Sequence, residues 1–333
     1  MNFESPIATP YCKPIIKDGP VLMNPVEAIE VLKDVGFNVF TLANNHLKDF
    51  GEEGVKNTLT VCKEMGVHTV GAGVNIDEAR KPLILSDNVS GYKVGILNVC
   101  EHESSVATSS NAGANPLDLV SLYYDIRNLK KSVDKLVVVI HGGCEHYQLP
   151  TPRMKRVYHL IADYGADVIV NHHQHCYSGY ETYNGTPIFY GLGNFFFDNP
   201  KKRRDKWNEG LLLKLDVQND DIQFELIPYN QCDDDPVIKI REYGDVKDKI
   251  EELNAIIADD NLLNEHFDRL VASKKPLRPF LPYGNHYLRA LYHRGLFPSF
   301  LNNKRKVMMQ NAVRCESHRE VFLSYLEHAF QNK

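Results

Sequence analysis

Three short apolar runs between Leu136 and Asp198 each stop abruptly at polar or glycine-rich residues. Leu136-Val-Val-Val-Ile140 leads into His141-Gly-Gly-Cys-Glu145-His146. Asp167-Val-Ile-Val170 leads into Asn171-His172-His173-Gln174-His175, and Ile188-Phe-Tyr190 into Gly191-Leu-Gly-Asn194-Phe195. Runs this short, rich in Val and Ile, read as strands buried on both faces. An earlier run, Val39–Leu42, opens in the same way onto Ala43-Asn44-Asn45-His46. Ligands gather at the carboxyl ends of strands in open α/β sheets. The pattern therefore predicts three strands that deliver histidines to one edge of one sheet.

Between these runs the apolar spacing changes from strand-like to helical. Asn24-Pro25-Val-Glu27 reads as a helix start, with Asn24 as N-cap, Pro25 at the first helical position and Glu27 three after the cap. Val26, Ile29, Leu32 and Val35 then share one face, and Gly36 closes the helix. The same reading gives helices over 52–65, 116–132 and 152–164, the first closed by Gly66 and the last by Gly165. Strands are predicted at 67–70, 83–86 and 92–99. Alternating helices and strands imply a largely parallel sheet with crossovers. After residue 176 the grammar turns antiparallel. Asn184-Gly185 is a type I′ hairpin signal between 177–183 and 187–190, and Gln218-Asn-Asp-Asp221 joins a second hairpin, 210–217 with 222–227. Around Cys232-Asp-Asp-Asp-Pro236 the character shifts again, and residues 245–333 show helical spacings. The expected organisation is a mixed α/β domain over 1–232 and a helical C-terminal extension over 233–333.

Composition alters this picture little. The chain has 333 residues, 43% hydrophobic and 24% charged, with a net charge of −5. That balance excludes a global basic field for nucleic acid. No apolar run is long enough for a membrane span. The start has neither a basic nor an apolar signal region, and seven Cys without a C-x-x-C do not read as a disulfide framework. The compartment expected from these features is the cytoplasm.

Four histidines at strand ends, His46, His141, His173 and His175, point to a metal site. Imidazole, carboxylate and amide-oxygen donors suit Zn, Mn or Fe. Asn45 offers an amide oxygen, and His46 a general acid facing the substrate. Two metals ~4 Å apart would clamp a phosphoryl-type centre. His172 is the weaker candidate of its group, and Glu145 and His146 are either site rim or surface. Cys144 and Cys176 are either ligands or small buried apolar groups, with the second preferred. Lys201-Lys-Arg-Arg204 is either an anion-binding mouth or a solvated loop, again with the second preferred.

Several of these segments together carry a resemblance. Asn2-Phe-Glu4-Ser-Pro6, Ala43-Asn-Asn-His46 with Asp49-Phe-Gly51, Ile140-His-Gly142 with Glu145, His172-His-Gln-His175 and Tyr190-Gly-Leu-Gly-Asn194-Phe195 resemble the bacterial capsule-synthesis CapA, or poly-γ-glutamate synthesis, family. That family belongs with the calcineurin-like metallophosphoesterases. Phe3, Gln174 and Gly191 stand where the family usually has leucine, proline and serine. The resemblance implies a four-layer α/β/β/α sandwich with a two-metal site. It makes Glu4, Asn45, His141, His173 and His175 the ligands and His46 the acid, with Asn44, Glu145, His172 and Asn194 at the rim. It also implies a divalent-metal hydrolase acting on a phosphoester or a polyanionic, amide-linked polymer, beside the capsule-synthesis machinery. A general phosphodiesterase and a non-catalytic polymer-binding scaffold are the competing readings. The superfamily opens with a strand ending in Gly-Asp, whose carboxylate holds the first metal. This chain begins at the second motif. The expectation is therefore that the strand is missing, that at most one metal is tightly held, and that solubility and turnover are poor.

Overall fold

The computed structural model describes residues 1–217, 222–274, 287, 291, 294 and 302–331. The main sheet has six strands in the order β4-β5-β7-β8-β10-β9. These are β4 (Leu83–Ser86), β5 (Lys93–Cys100), β7 (Lys135–His141), β8 (Val168–His172), β9 (Tyr180–Tyr183) and β10 (Thr186–Phe189). The four inner strands are parallel, and the edges β4 and β9 are antiparallel to their neighbours. Register sets Cys100 beside His141 and His141 beside His172, so the carboxyl ends of β5, β7 and β8 are level. The β9–β10 turn has positive φ at both Asn184 (49°) and Gly185 (86°), as a type I′ turn requires.

Helices α4 (Leu119–Leu129) and α5 (Pro152–Tyr164) cover one face of this sheet. Leu122, Ile126, Leu129, Tyr158 and Ile161 pack there against Leu97, Val138 and Ile169. The signals that end α5 are local: Thr151 accepts from the Met154 N–H, Pro152 opens the first turn, and Gly165 closes it at φ 117°. The opposite face meets the hairpin β11 (Glu209–Asp216) and β12 (Gln223–Gln231), where Phe224 makes an edge contact with Phe189 at 4.9 Å. The expected turn at 218–221 lies outside the described residues.

A second, smaller pairing lies on the same side as β11–β12. Strand β1 (Val39–Thr41) pairs in parallel with β2 (His68–Val70), and residues 1–3 bridge to the other edge of β1. Helices α1 (Glu27–Asp34) and α2 (Gly51–Glu64) cover these strands, with Ile29, Val55 and Cys62 packed on Phe40 and Leu42. Beside them the short β3 (Ala72–Gly73) pairs antiparallel with β6 (Gly113–Ala114) against α3 (Ile76–Ala79), and the fold is thus mixed α/β, with helices outside two β layers. Here one expectation is corrected: β1 does not belong to the main sheet. It rides over that sheet on Asn98, which accepts from the Ala43 N–H (2.6 Å) and donates to the Val139 carbonyl (3.1 Å). Gly71 permits this approach, since a Cβ there would lie 2.1 Å from Asn98 Oδ1.

A second correction concerns α1. It begins at Glu27 without a side-chain cap. Asn24 is engaged elsewhere, with its N–H on the Pro6 carbonyl (2.9 Å) and its amide on that of Glu4 (3.3 Å).

Beyond Cys232 a short strand, β13 (Ile238–Ile240), extends the β11–β12 sheet before the helices begin. Helices α6 (Gly244–Ala258), α7 (Asp260–Ser273), α8 (Asn303–Arg314) and α9 (Glu316–Gln331) follow. Val246, Ile250, Leu253, Ile256 and Ile257 of α6 join the main core beside the edge strand β9, where Asn254 accepts from the Tyr180 N–H. No described helix is long and apolar enough to cross a membrane.

Candidate metal centre

The level ends of β7 and β8 bring His141 and His173 together. His173 Nδ1 is 3.0 Å from His141 Nε2, which is also 3.0 Å from Asn45 Oδ1. Glu4 reaches the same point from the N-terminal segment, with Oε1 3.7 Å from His141 Nε2 and 4.0 Å from His46 Nε2. Its aim follows from its neighbours. Phe3 stacks on Phe40 at 4.9 Å, and the Phe3 N–H bonds to Thr41. Ligating atoms of Glu4, His141 and His173 all lie within 4.8 Å of one another.

Burial makes this cluster costly as it stands. His141 and His173 are buried, and Glu4 Oε1 has no hydrogen-bond partner. An unpaired buried carboxylate oxygen beside two imidazoles and an amide oxygen is unfavourable unless a cation completes it. Desolvation and the facing His173 push the pKa of His141 well below its ordinary value. Burial also opposes charge on His173, but Glu103, Glu145, Glu4 and Glu101 outweigh it and raise that group. Imidazole, carboxylate and amide oxygen form a donor set that fits a divalent ion such as Zn, Mn or Fe. His173 and His175 both have positive φ, 103° and 56°. Non-glycine residues are strained there, and such strain collects at functional sites.

The other predicted residues fall around this group. His175 is buried beside it, its Nδ1 2.8 Å from Asn194 Oδ1 and its ring 6.2 Å from that of His173. Asn194 is a brace: its amide donates to the carbonyls of His175 and Trp207. Asn44 is also a brace, accepting from the His46 N–H and donating to the Phe3 carbonyl. His172 stands apart from the ligand group, and burial and the N-terminal ammonium push its pKa down to about 3. Glu145 is on the exposed rim; desolvation opposes its charge, but His173, His175 and His146 lower its pKa. Cys144 and Cys176 are buried free thiols, which burial pushes up to about 12, and neither belongs to the ligand group.

Sequence reasoning missed the supports of His46. Its Nδ1 is 2.6 Å from Asp49 Oδ2, and Lys17 Nζ is 2.6 Å from Asp49 Oδ1. All three side chains are buried. The carboxylate takes Nδ1–H and leaves Nε2 turned to Glu4, which is the way a partner fixes an imidazole tautomer. The i,i+3 spacing of His46 and Asp49 was the available signal. Lys17, in an irregular proline-rich segment, gave none. Trp207, 4.7 Å from the His175 ring, was equally silent.

Residues 1–199 match the family described as bacterial capsule synthesis protein PGA_cap. The chain belongs to this capsule-synthesis family. The PGA biosynthesis protein CapA of Bacillus subtilis is 35% identical over 199 residues, covering 59% of this chain and 52% of that protein. The capsule biosynthesis protein CapA of Bacillus anthracis is 36% identical over 178 residues, 52% of this chain and 43% of that one. The chain thus spans about half the length of these relatives. Among solved structures, the calcineurin-like phosphoesterase YfkN of Bacillus subtilis aligns over 72% of this chain and 74% of its own, with 14% identity and a TM-score of 0.38. That likeness concerns the arrangement of elements and says nothing of what this chain binds.

Proposed function

We propose that this member of the capsule-synthesis family binds a divalent metal and hydrolyses an anionic phosphoester or amide-linked bond in the making of a capsule polymer such as poly-γ-glutamate. The observation that carries this reading is the buried, unpartnered Glu4 Oε1 beside His141 and His173. Glu4, Asn45, His141 and His173 would hold the metal, with His175 adjoining. A bound divalent ion supplies Lewis-acid polarisation of the reacting oxygen and a water acidic enough to attack at neutral pH. His46 places Nε2 on the Glu4 side of the cluster, where the imidazolium, with Nδ1–H held by Asp49, can give a proton to the leaving oxygen of an ester or the leaving nitrogen of an amide. Asp49 holds the opposite nitrogen, and Lys17 fixes that carboxylate in place. Asn44 and Asn194 keep the Glu4, His46 and His175 segments in place.

The test is metal analysis joined to kinetics. Equilibrium dialysis against Mn or Zn should load the full chain, and His173→Ala should lose that metal. His46→Ala should keep it while turnover of a phosphodiester falls by ~10²–10⁴. A chain that binds no divalent ion would remove the reading, and metal binding with no turnover of any ester or polymer would leave a scaffold.

A further inference from the structure

The loop from Lys201 to Lys206 returns against the metal centre through Trp207. Lys202 Nζ stands 3.9 Å over the indole ring, and that ring is 4.7 Å from the His175 imidazole. The ammonium therefore lies within the sum of those two spacings from His175. It is also 3.0 Å from His146 Nε2, while Lys206 Nζ donates to the His146 carbonyl. His146 is in turn tied to the metal-centre loop, its N–H donating to the Gln174 carbonyl at 2.8 Å, with φ at 63°. The neighbouring arginines are differently placed. Arg203 pairs with Asp198 and two backbone carbonyls, and Arg204 with both oxygens of Asp234. Among the described residues no carboxylate lies within 4.0 Å of Lys202 or Lys206 Nζ. Glu145 and Asp205 act on Lys202 only through space. The arginines thus anchor the loop, and the two lysines face the histidines without a paired anion.

An ammonium that has an indole face and an imidazole nitrogen for company keeps donors in reserve. We propose that Lys202, Lys206 and His146 form an anion subsite flanking the metal centre, which holds the carboxylate or phosphate of the unit next to the reacting bond. It rests on the metal-centre reading for the position of that bond. The subsite narrows the substrate class to a chain with repeated negative charges, since a single small ester would leave the lysines unused. Burial and the adjacent Lys202 hold the pKa of His146 down to about 4, so at neutral pH this imidazole accepts from the ammonium.

The experiment uses the chain's single tryptophan, Trp207. The full chain is titrated in EDTA with oligo-γ-glutamate, with polyphosphate and with neutral dextran while indole emission is followed. An anion that draws Lys202 off the ring should change that emission saturably, and dextran should not. Lys202→Met and Lys206→Met should each weaken binding roughly tenfold, as for a lost charge-assisted hydrogen bond. Lys202→Arg should retain binding. Arg204→Met removes the same charge from a residue paired with Asp234 and should leave affinity unchanged. Far-UV circular dichroism would confirm that each variant folds. A response to oligo-γ-glutamate alone assigns carboxylate, and one to polyphosphate alone assigns phosphate. No saturable response to either polyanion overturns the proposal, as would equal weakening by Lys202→Met and Arg204→Met. With metal chelated throughout, failure of the metal reading would show in dialysis and leave this titration intact.

Discussion

Two departures from the family's usual residues, Gln174 and Gly191, turn out to be neighbours. The Gln174 amide donates to the carbonyls of Tyr147 (2.9 Å) and Leu149 (3.0 Å), which fixes its Oε1 toward β10's end. A Cβ on Gly191 would lie 2.4 Å from that Oε1. A glutamine between His173 and His175 therefore needs a residue without a side chain opposite it. Restoring the family's usual serine, Gly191→Ser, should cost about 1–3 kcal/mol, as overpacking does. Gln174→Pro should remove the obstructing amide, so the double variant should lose less than the sum of the singles. Chemical denaturation of the four proteins measures the coupling, and strictly additive losses would refute the pairing. None of this was legible in the sequence, where the two positions are separate oddities. His46 with Asp49 was half legible, because helical-type spacing shows that two side chains can meet but not that a lysine from 29 residues earlier completes them.

At the scale of elements, chain-local signals served well. Thr151-Pro152 and Gly165 bound α5, and Asn184-Gly185 made the turn, since each acts through backbone geometry. What periodicity could not convey was partnership. Strand β1 is a short apolar run like β7 and β8 but pairs with β2, and Asn98 ties it to the main sheet through side-chain bonds between layers. The C-terminal helices were legible as helices, yet their docking was not. Helix α9 is seated by its first residues: Glu316 takes the His102 backbone N–H and lies 2.6 Å from His102 Nδ1, and the Ser317 hydroxyl donates to buried Glu101. The hydrogen bond to Glu316 raises the pKa of His102, against burial. Desolvation opposes charge on Glu316, but bonds from His102 lower its pKa overall. The sign follows. A raised histidine contributes stability that is complete below its unfolded value of ~6.5 and fades as pH climbs through the folded value. The lowered carboxylate contributes above ~4.5 and fades as pH falls through its folded value. Docking of α9 should therefore be tightest in the window between these limits. Hydrogen exchange of residues 316–326 should quicken as pH rises above ~6.5, beyond the intrinsic rate increase. His102→Gln should abolish that excess, and an unchanged excess in this variant would show that the pair does not seat the helix.

Taken whole, the molecule holds a cleft of about 1140 Å³ between its two β layers, with α1 at its mouth. Val139 and Val170 of the main sheet, Leu213 and Leu215 of β11, Val31 of α1 and Val35 just after it line the cleft, next to Glu4, His173 and His175. A sealed dry void would cost on the order of 20 kcal/mol or more at ~24 cal/mol per Å³, above the ~5–15 kcal/mol that holds a domain folded. The space must therefore be open, and the exposure of Val31 (62%) and Val35 (63%) marks the opening. An open apolar cleft of this size admits amphiphilic aromatic probes. The native chain at neutral pH should therefore enhance 8-anilinonaphthalene-1-sulfonate fluorescence saturably, with near-ultraviolet circular dichroism unchanged. That second signal matters, because a molten globule also binds this dye but loses its tertiary signature. Val35→Trp, at the exposed position that follows α1 on the rim, should fill part of the mouth and weaken dye binding several-fold with little change in stability. Enhancement that appears only where the near-ultraviolet signal is lost would mean the cleft is closed in the folded protein. Equal dye binding by Val35→Trp would place the probe elsewhere on the surface.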